Sequence, residues 1–235
     1  MRVIAGSARR IVLDTPSGMD TRPTTDRIKE TLFNIIQDSV RGSGFLDLFA
    51  GSGGIGIEAL SRGAENAVFA ENRSEACRCI EGNLKRTGLF GRARLIRSDV
   101  FKAIAELGAG GRKFDIIFAD PPYGRISYGK LLSAIRDAGI LEDDGIIIIE
   151  TALGYEAALG CVDPDMEPDV KHGSKDEDVS VRDEDVNKCD SSRTDSAADE
   201  EGGNGFRITR IKEYKTNQHI FLEKISEDDD ERIKN

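Results

Sequence analysis

Short apolar runs alternate along this chain with segments whose apolar residues recur at helical spacing. The apolar runs predict strands near 44–49, 67–71, 93–97, 114–119 and 145–150. The segments with helical spacing lie near 54–62, 74–87, 100–107 and 128–138. Strands that alternate with helices predict an α/β fold with a doubly wound, mostly parallel sheet.

Smaller elements are predicted at both ends of this alternating region. Residues Arg2–Ala5 and Ile11–Asp14 indicate an N-terminal hairpin around Gly6 and Ser7. A helix is expected over Thr24–Ile36, with its apolar face formed by Ile28, Leu32, Ile35 and Ile36. Segments 206–214 and 217–223 alternate in polarity around a short turn, which predicts an antiparallel pair and brings the sheet to seven strands.

A glycine-rich turn follows the first predicted strand and opens a helix, as nucleotide cofactors require. Gly51 and Gly53 can adopt positive φ and lack a Cβ atom, so a ligand can approach the backbone closely. With Gly56 they also match the dinucleotide fingerprint, and Glu71, 20 residues after Gly51, suits a ribose diol in either cofactor class. The glycines alone therefore leave an NAD-dependent oxidoreductase open.

Acidic side chains occur at the ends of the first four predicted strands. They are Asp47, Glu71, Asp99 (preceded by Ser98) and Asp120. A pyrophosphate favours N–H donors and positive potential, whereas a row of carboxylates suits a cationic sulfonium that carries an amino acid and an adenosine. The row therefore favours a sulfonium cofactor over NAD.

Asp120-Pro121-Pro122-Tyr123 forms the loop after the fourth strand, where open α/β sheets place their ligands. The Asp120 carboxylate and the Pro121 carbonyl are acceptors without a competing donor, because proline has no backbone N–H. Two such acceptors can hold an exocyclic amine, and Tyr123 offers a flat face for stacking on a base. A plain Pro-Pro turn is the alternative interpretation.

With these motifs the chain resembles class I S-adenosylmethionine-dependent methyltransferases, and more narrowly the bacterial 16S rRNA guanine-N2 methyltransferases of the RsmD type. The narrower resemblance rests on residues 1–10 and on 21–35, which contain Arg-Pro-Thr-Thr-Asp-Arg, and it covers about 1–155 and 206–225. It implies a Rossmann-like sheet with a reversed last strand, S-adenosyl-L-methionine as cofactor, and 16S rRNA or an assembling small subunit as partner. A DNA adenine-N6 methyltransferase and a non-catalytic RNA-binding assembly factor remain alternatives.

The resemblance also suggests roles for individual residues. The catalytic set is Asp120, Pro121, Pro122 and Tyr123. The cofactor-binding set is Asp47, Phe49, Gly51, Ser52, Gly53, Glu71, Asn72, Ser98, Asp99 and Asp120. The candidates for phosphate contacts are Arg2, Arg9, Arg10, Arg22 and Arg27, although Arg22 can instead border the methionine end of the cofactor together with Thr24 and Asp26.

The net charge of −10 divides unevenly along the chain. Residues 156–205 hold 5 basic and 16 acidic residues, and 226–235 hold 2 and 5, so the remainder carries a net charge of +4. We therefore predict a single domain over 1–225 whose body outside the acidic segment is mildly basic, with 1–40 as an N-terminal extension, 160–205 as a disordered acidic insertion and 226–235 as an acidic tail. The insertion either has no role, competes with RNA for the basic face, or docks a basic ribosomal protein.

Further expectations concern metal, compartment and assembly. The four cysteines lack paired CxxC spacing and the two histidines are isolated, so no metal site is predicted. No N-terminal apolar stretch suggests a signal peptide and no run reaches membrane-spanning length, which favours a cytoplasmic protein without membrane contact. We expect a monomer.

Overall fold

A seven-stranded sheet forms the centre of the protein in the computed structural model, which describes residues 1–16, 23–122, 124–155, 159 and 205–225. The strands are β1 Gly44–Leu48, β2 Asn66–Ala70, β3 Ala93–Ile96, β4 Phe114–Ala119, β5 Leu141–Ala152, β6 Phe206–Glu213 and β7 Asn217–Lys224. Their spatial order is β3-β2-β1-β4-β5-β7-β6, and β1 to β5 pair in parallel. β7 runs antiparallel to both β5 and β6, so the predicted fold class is confirmed.

Six α-helices lie in the described ranges. They are α1 Pro23–Ile35, α2 Gln37–Val40, α3 Gly54–Arg62, α4 Ser74–Thr87, α5 Val100–Ala109 and α6 Tyr128–Ala138. The short α2 and a 3₁₀ turn at Phe90–Arg92 were not predicted. β5 begins at Leu141 rather than 145, because Leu141 pairs with Phe114 across a bulge although the segment after it is polar.

Two apolar layers cover the two faces of the sheet. Alternate residues of β4 show the division: Phe118 packs in the layer beneath α1, α3 and α4, whereas Ile117 and Ala119 pack beneath α5 and α6. Because both faces are covered, the parallel strands are apolar almost throughout. The helices cover only the faces, so the carboxyl ends of the parallel strands, which form the edge of the sheet meant below, are left for a ligand.

The buried face of α1 differs from the predicted one. Lys29, Leu32, Phe33 and Ile36 are buried, whereas Ile28 and Ile35 are only partly buried. Lys29 turns inward because its ammonium group lies 3.1 Å from the fully buried carboxylate of Glu58. Spacing of apolar residues alone could not predict a lysine on this face.

The N-terminal hairpin is confirmed in reduced form, as a single antiparallel bridge between Arg2 and Val12. Its turn lies against α3, where a Cβ atom on Gly6 would come within 1.8 Å of the Ser61 carbonyl oxygen. Gly6 has φ +81°, so both conformation and space require glycine there. The hairpin is therefore fixed on the helix that follows the glycine turn.

The predicted insertion at 160–205 and tail at 226–235 lie outside the described residues, apart from residue 205 itself. The division of the chain into these parts therefore stays a prediction. Among the helices that the structure describes, none is long and apolar enough to cross a membrane.

Candidate active site

The acidic residues predicted at the strand ends lie at one edge of the sheet. The register pairs Leu48 with both Ala70 and Ala119, and Ala70 with Ile96, so β1 to β4 end side by side. Neighbouring strands in a sheet are about 4.8 Å apart. Asp47 near the end of β1 and the carboxylates that follow β2, β3 and β4 therefore lie at the same end of the sheet, around the space that we call the opening.

The glycine turn is shaped by two of these carboxylates. Glu71 Oε2 accepts a hydrogen bond from the Gly51 N–H at 2.8 Å, and Asp47 Oδ2 accepts one from the Gly56 N–H, also at 2.8 Å. A Cβ atom on Gly56 would lie 2.4 Å from the Phe69 ring, so the turn has no space for a larger residue there. A Cβ atom on Gly51 would meet nothing closer than 3.9 Å, which leaves that side open to a ligand.

Asp47 lies beneath this turn and is only 2 % exposed. Desolvation raises its pKa to about 7, and the charge of Glu71 adds to this effect, while the hydrogen bond from Gly56 opposes it. Phe49, which follows β1, has φ +61°, an uncommon conformation for a non-glycine residue. Asp47 thus supports the turn from below, and its direct contact with a cofactor ammonium group stays a prediction.

Asn83 is a contributor that the sequence analysis missed. Its side-chain amide is completely buried and donates to the Ser52 carbonyl at 3.0 Å and to the Asp14 carbonyl at 2.9 Å. Its oxygen accepts from the Asp14 N–H at 2.8 Å. Asn83 therefore joins the glycine turn to the N-terminal hairpin, a contact between segments too distant in sequence for a local pattern to indicate.

The remaining predicted cofactor ligands border the same edge. Glu71 Oε1 accepts from the backbone N–H groups of Asn72 and Arg73 at 3.0 and 2.9 Å. Asp99 caps the N-terminus of α5, where Oδ1 accepts from the Phe101 N–H at 2.9 Å. Ser98 donates locally to the Asp99 carbonyl. Because a carboxylate oxygen has two lone pairs, Glu71 and Asp99 keep acceptor capacity for a ligand.

Asp120 lies directly after β4, and its side chain is exposed. Desolvation by the surrounding protein, followed by repulsion from Glu150 and then Asp47, raises the pKa of Asp120 to about 8. Solvent still reaches this carboxylate, so water screens part of the effect. The Asp120 carboxylate thus binds a proton more readily than an ordinary aspartate does.

The prolines after Asp120 differ in their surroundings. Pro121 is buried and Pro122 is exposed. The Pro122 carbonyl accepts from the Arg125 N–H at 3.2 Å, whereas the Pro121 carbonyl accepts no hydrogen bond from the described part of the chain. Asp120 and the Pro121 carbonyl are therefore available together as acceptors, and Tyr123 lies outside the described residues.

The chain matches a known family at residues 1–160, under the description "Conserved hypothetical protein 95". The chain belongs to this family.

Relatives from two bacteria agree with this assignment. YlbH of Bacillus subtilis, named as an rRNA methyltransferase, is 43 % identical over 150 residues, which cover 64 % of this chain and 82 % of that protein. Ribosomal RNA small subunit methyltransferase D of Escherichia coli is 36 % identical over 151 residues, which cover 64 % of this chain and 74 % of that protein.

Solved structures share the whole architecture. The structure of yhhF from Escherichia coli, described as a methyltransferase, has a TM-score of 0.67 at 25 % identity and covers 97 % of this chain and 99 % of that one. A hypothetical protein of Thermus thermophilus has the same fold, with a TM-score of 0.65 at 24 % identity and coverage of 96 % and 99 %. The resemblance seen in the sequence is confirmed, and the protein is a class I S-adenosylmethionine-dependent methyltransferase of the RsmD type.

The arginines predicted to contact phosphates are distributed around the N-terminal extension of this methyltransferase. Arg9 and Arg10 are exposed on the hairpin, and Arg27 is exposed on α1. Arg2 is also exposed, but its guanidinium lies 3.5 Å from Asp26. Arg22 lies outside the described residues. The phosphate contacts stay predictions.

Replacing Glu71 with glutamine is expected to weaken the binding of S-adenosylhomocysteine roughly 10- to 100-fold if the predicted ribose contact exists, because a charged acceptor of that contact and of the Gly51 N–H is lost. Isothermal titration calorimetry would measure the affinity. Glu65→Gln is the matched control, since Glu65 is exposed and directly precedes β2, at the end of the sheet opposite the glycine turn. Equal affinities in the two variants would show that Glu71 does not bind the cofactor.

Proposed function

We propose that the protein methylates the exocyclic N2 amine of a guanine in small-subunit (16S) ribosomal RNA by direct transfer from S-adenosylmethionine. The observation that carries this proposal is the position of Asp120 and the Pro121 carbonyl beside the glycine turn, where no described residue donates a hydrogen bond to that carbonyl. The rRNA substrate is supported by relatives that are named rRNA methyltransferases. The action on guanine N2 is the finer part of the proposal, supported by the family resemblance.

The residues at the sheet edge fit the cofactor. Gly51 leaves open space next to the backbone, and the nearby ligand groups are carboxylates, which suit a sulfonium compound with an ammonium group and ribose hydroxyls. In this proposal Glu71 holds the ribose and Asp99 accepts from the adenine amine. The bound cofactor supplies a methyl group made electrophilic by its positively charged sulfur.

The protein contributes orientation and proton affinity. Asp120 and the Pro121 carbonyl accept the two N–H bonds of the target amine, so its nitrogen lone pair is directed toward the cofactor side of the opening. The negative charge of Asp120 stabilises the positive charge that develops on that nitrogen. Because its pKa is raised to about 8, Asp120 is also suited to take the proton that the methylated amine releases.

A methyl-transfer assay with tritium-labelled cofactor tests the proposal. The acceptors are small-subunit particles that lack this modification, naked 16S rRNA, and unmethylated double-stranded DNA. We expect label in particles or rRNA, and N2-methylguanosine after digestion, with primer extension mapping the nucleotide. Label in DNA as N6-methyladenine would instead indicate the alternative enzyme, and no transfer to any acceptor would favour a non-catalytic assembly factor.

Replacing Arg9 and Arg10 together with glutamine is expected to weaken RNA binding and to flatten its salt dependence. Each lost phosphate contact lowers the slope of log K against log salt by about 0.7 to 0.9. Filter binding at salt concentrations from about 50 to about 200 mM would measure it. Arg94→Gln serves as control, because Arg94 is an exposed residue of β3 paired with Glu106. An unchanged slope would place the hairpin outside the RNA interface.

A further inference from the structure

A second carboxylate stands next to Asp120 at the sheet edge. The parallel register pairs Ala119 of β4 with Ile149 of β5, so the residues that follow, Asp120 and Glu150, are neighbours on adjacent strands. Phe118 and Ile148, two positions earlier, pack in the same apolar layer. Since side chains alternate along a strand, Asp120 and Glu150 point to that same side. The charge of Glu150 contributes to the raised pKa of Asp120, in agreement with this proximity.

Side chains from β7 and the turn before it hold Glu150 in place. His219 lies opposite Glu150 in the antiparallel register, and its Nε2 is 3.3 Å from Glu150 Oε2. The other carboxylate oxygen accepts a hydrogen bond from the Asn217 side-chain amide. The hydroxyl of Tyr214 lies 3.0 Å from His219 Nδ1. Glu150 is thus fixed by a chain of three polar side chains.

The partners of His219 fix the orientation of its ring. If Tyr214 donates to Nδ1, the tautomer with a proton on Nε2 donates to Glu150, and both ring nitrogens are matched. His219 is 1 % exposed and its ring lies edge-on against Phe118, so it has no freedom to turn away. Glu150, whose side chain is 21 % exposed, presents its remaining lone pairs to the opening.

When Asp120 is ionised, the opening therefore presents three acceptors: Glu150, Asp120 and the Pro121 carbonyl. Guanine presents donors on two adjacent positions of its Watson–Crick edge, the ring N1–H and the N2 amine. Adenine and cytosine present one amine beside an unprotonated ring nitrogen, whose lone pair would face a carboxylate. A site that binds a base by its Watson–Crick edge therefore distinguishes guanine from adenine and cytosine through the protein group that faces the ring nitrogen beside the amine.

We infer that Glu150 determines the base specificity of the methyltransferase by accepting the N1–H of the target guanine, and that His219, Tyr214 and Asn217 position Glu150 for this contact. The inference rests on the proposed function, since it concerns the base whose N2 amine Asp120 and Pro121 hold. It assigns Glu150 a task separate from theirs: they bind the reacting amine, whereas Glu150 rejects bases that lack the adjacent donor.

A base analogue tests this contact without any mutation. 2-Aminopurine keeps the amine at the 2-position but has no proton on N1. Once the methylated nucleotide is mapped, 16S rRNA made by splinted ligation would carry guanine or 2-aminopurine at that one position and be assembled into particles. We expect the wild-type protein to favour guanine roughly 10- to 100-fold in kcat/KM, as for loss of a hydrogen bond to a charged group.

Variants then assign the preference to Glu150. Glu150→Gln should slow methylation of guanine by about the same factor while it leaves the rate on 2-aminopurine nearly unchanged, so the preference falls toward one. Tyr214→Phe, which removes only the hydroxyl, should reduce the preference partially. Glu142→Gln is the matched control, because Glu142 is a half-exposed glutamate of the same strand, distant from its carboxyl end. Affinity for S-adenosylhomocysteine would show that each variant is folded.

The outcomes separate the two proposals. Equal wild-type rates on guanine and 2-aminopurine would overturn the inference and leave the proposed function intact. A Glu150→Gln variant that is slowed equally on both bases would show a structural role, and would also overturn it. No methylation of guanine in any particle or RNA would overturn the proposed function and this inference with it.

Discussion

Replacing Asp120 with alanine is expected to slow methyl transfer on the order of 100- to 1,000-fold, while affinity for S-adenosylhomocysteine changes less than about threefold. The carboxylate orients the target amine and stabilises the positive charge that develops on its nitrogen, so its loss affects turnover more than cofactor binding. Single-turnover rates at saturating cofactor and calorimetric titration would measure the two quantities. Parallel losses in both would show that Asp120 maintains the shape of the edge instead.

Asp120→Asn is the matched variant, because it keeps one acceptor oxygen and removes the charge. The wild-type kcat/KM should rise with pH through a midpoint near 8, since only the ionised carboxylate accepts two hydrogen bonds, and this pKa is raised to about 8. The groups that face Asp120 are Glu150 of β5 and Asp47 of β1, which raise its pKa, and Tyr128 of α6, whose own pKa is raised mainly by burial. In Asp120→Asn this rise with pH should disappear, and its persistence would assign the titration to another group.

The carboxylates of the opening show how much of the candidate site could be predicted from the sequence. Glu71, Asp99 and Asp120 come shortly after apolar runs and Asp47 lies one residue before the end of β1, so their place at the edge followed from the strand pattern alone. Parallel strands bring their carboxyl ends together whatever the loops between them contain. The row was therefore predictable before any contact was known.

Glu150 and His219 could not be predicted in the same way. They are 69 residues apart in sequence, and only the antiparallel register of β5 and β7 brings them together. The sequence showed His219 only as an isolated histidine, whereas it is buried, and its polar partners depend on that register. Lys29 is a similar case, because its burial depends on a carboxylate from a different helix. Interactions of this kind require the fold, since no local spacing encodes them.

Replacing Glu58 with alanine is expected to lower the free energy of unfolding by about 3–5 kcal/mol, because it leaves the buried ammonium of Lys29 without its counter-ion and two backbone N–H groups without an acceptor. Glu58 is completely buried and accepts from the N–H groups of Ile4 and Ala5 at 2.8 and 3.0 Å. Lys29 Nζ and Arg62 Nε lie 3.1 and 2.8 Å from the same carboxylate. Urea unfolding followed by circular dichroism would measure the loss.

Glu106→Ala provides the comparison, since Glu106 forms an ion pair with Arg94 in which both side chains are about half exposed, and such pairs contribute less than about 1 kcal/mol.

Replacing Glu58 should also affect the active site. Glu58 fixes the hairpin on α3, and Met1 at the start of the hairpin packs so closely on Gly54 that a Cβ atom there would lie 2.2 Å from its sulfur. Because Gly54 begins α3 directly after the glycine turn, a loosened hairpin should weaken cofactor binding even in the folded fraction. Unchanged affinity in that fraction would mean that the turn keeps its shape without the hairpin.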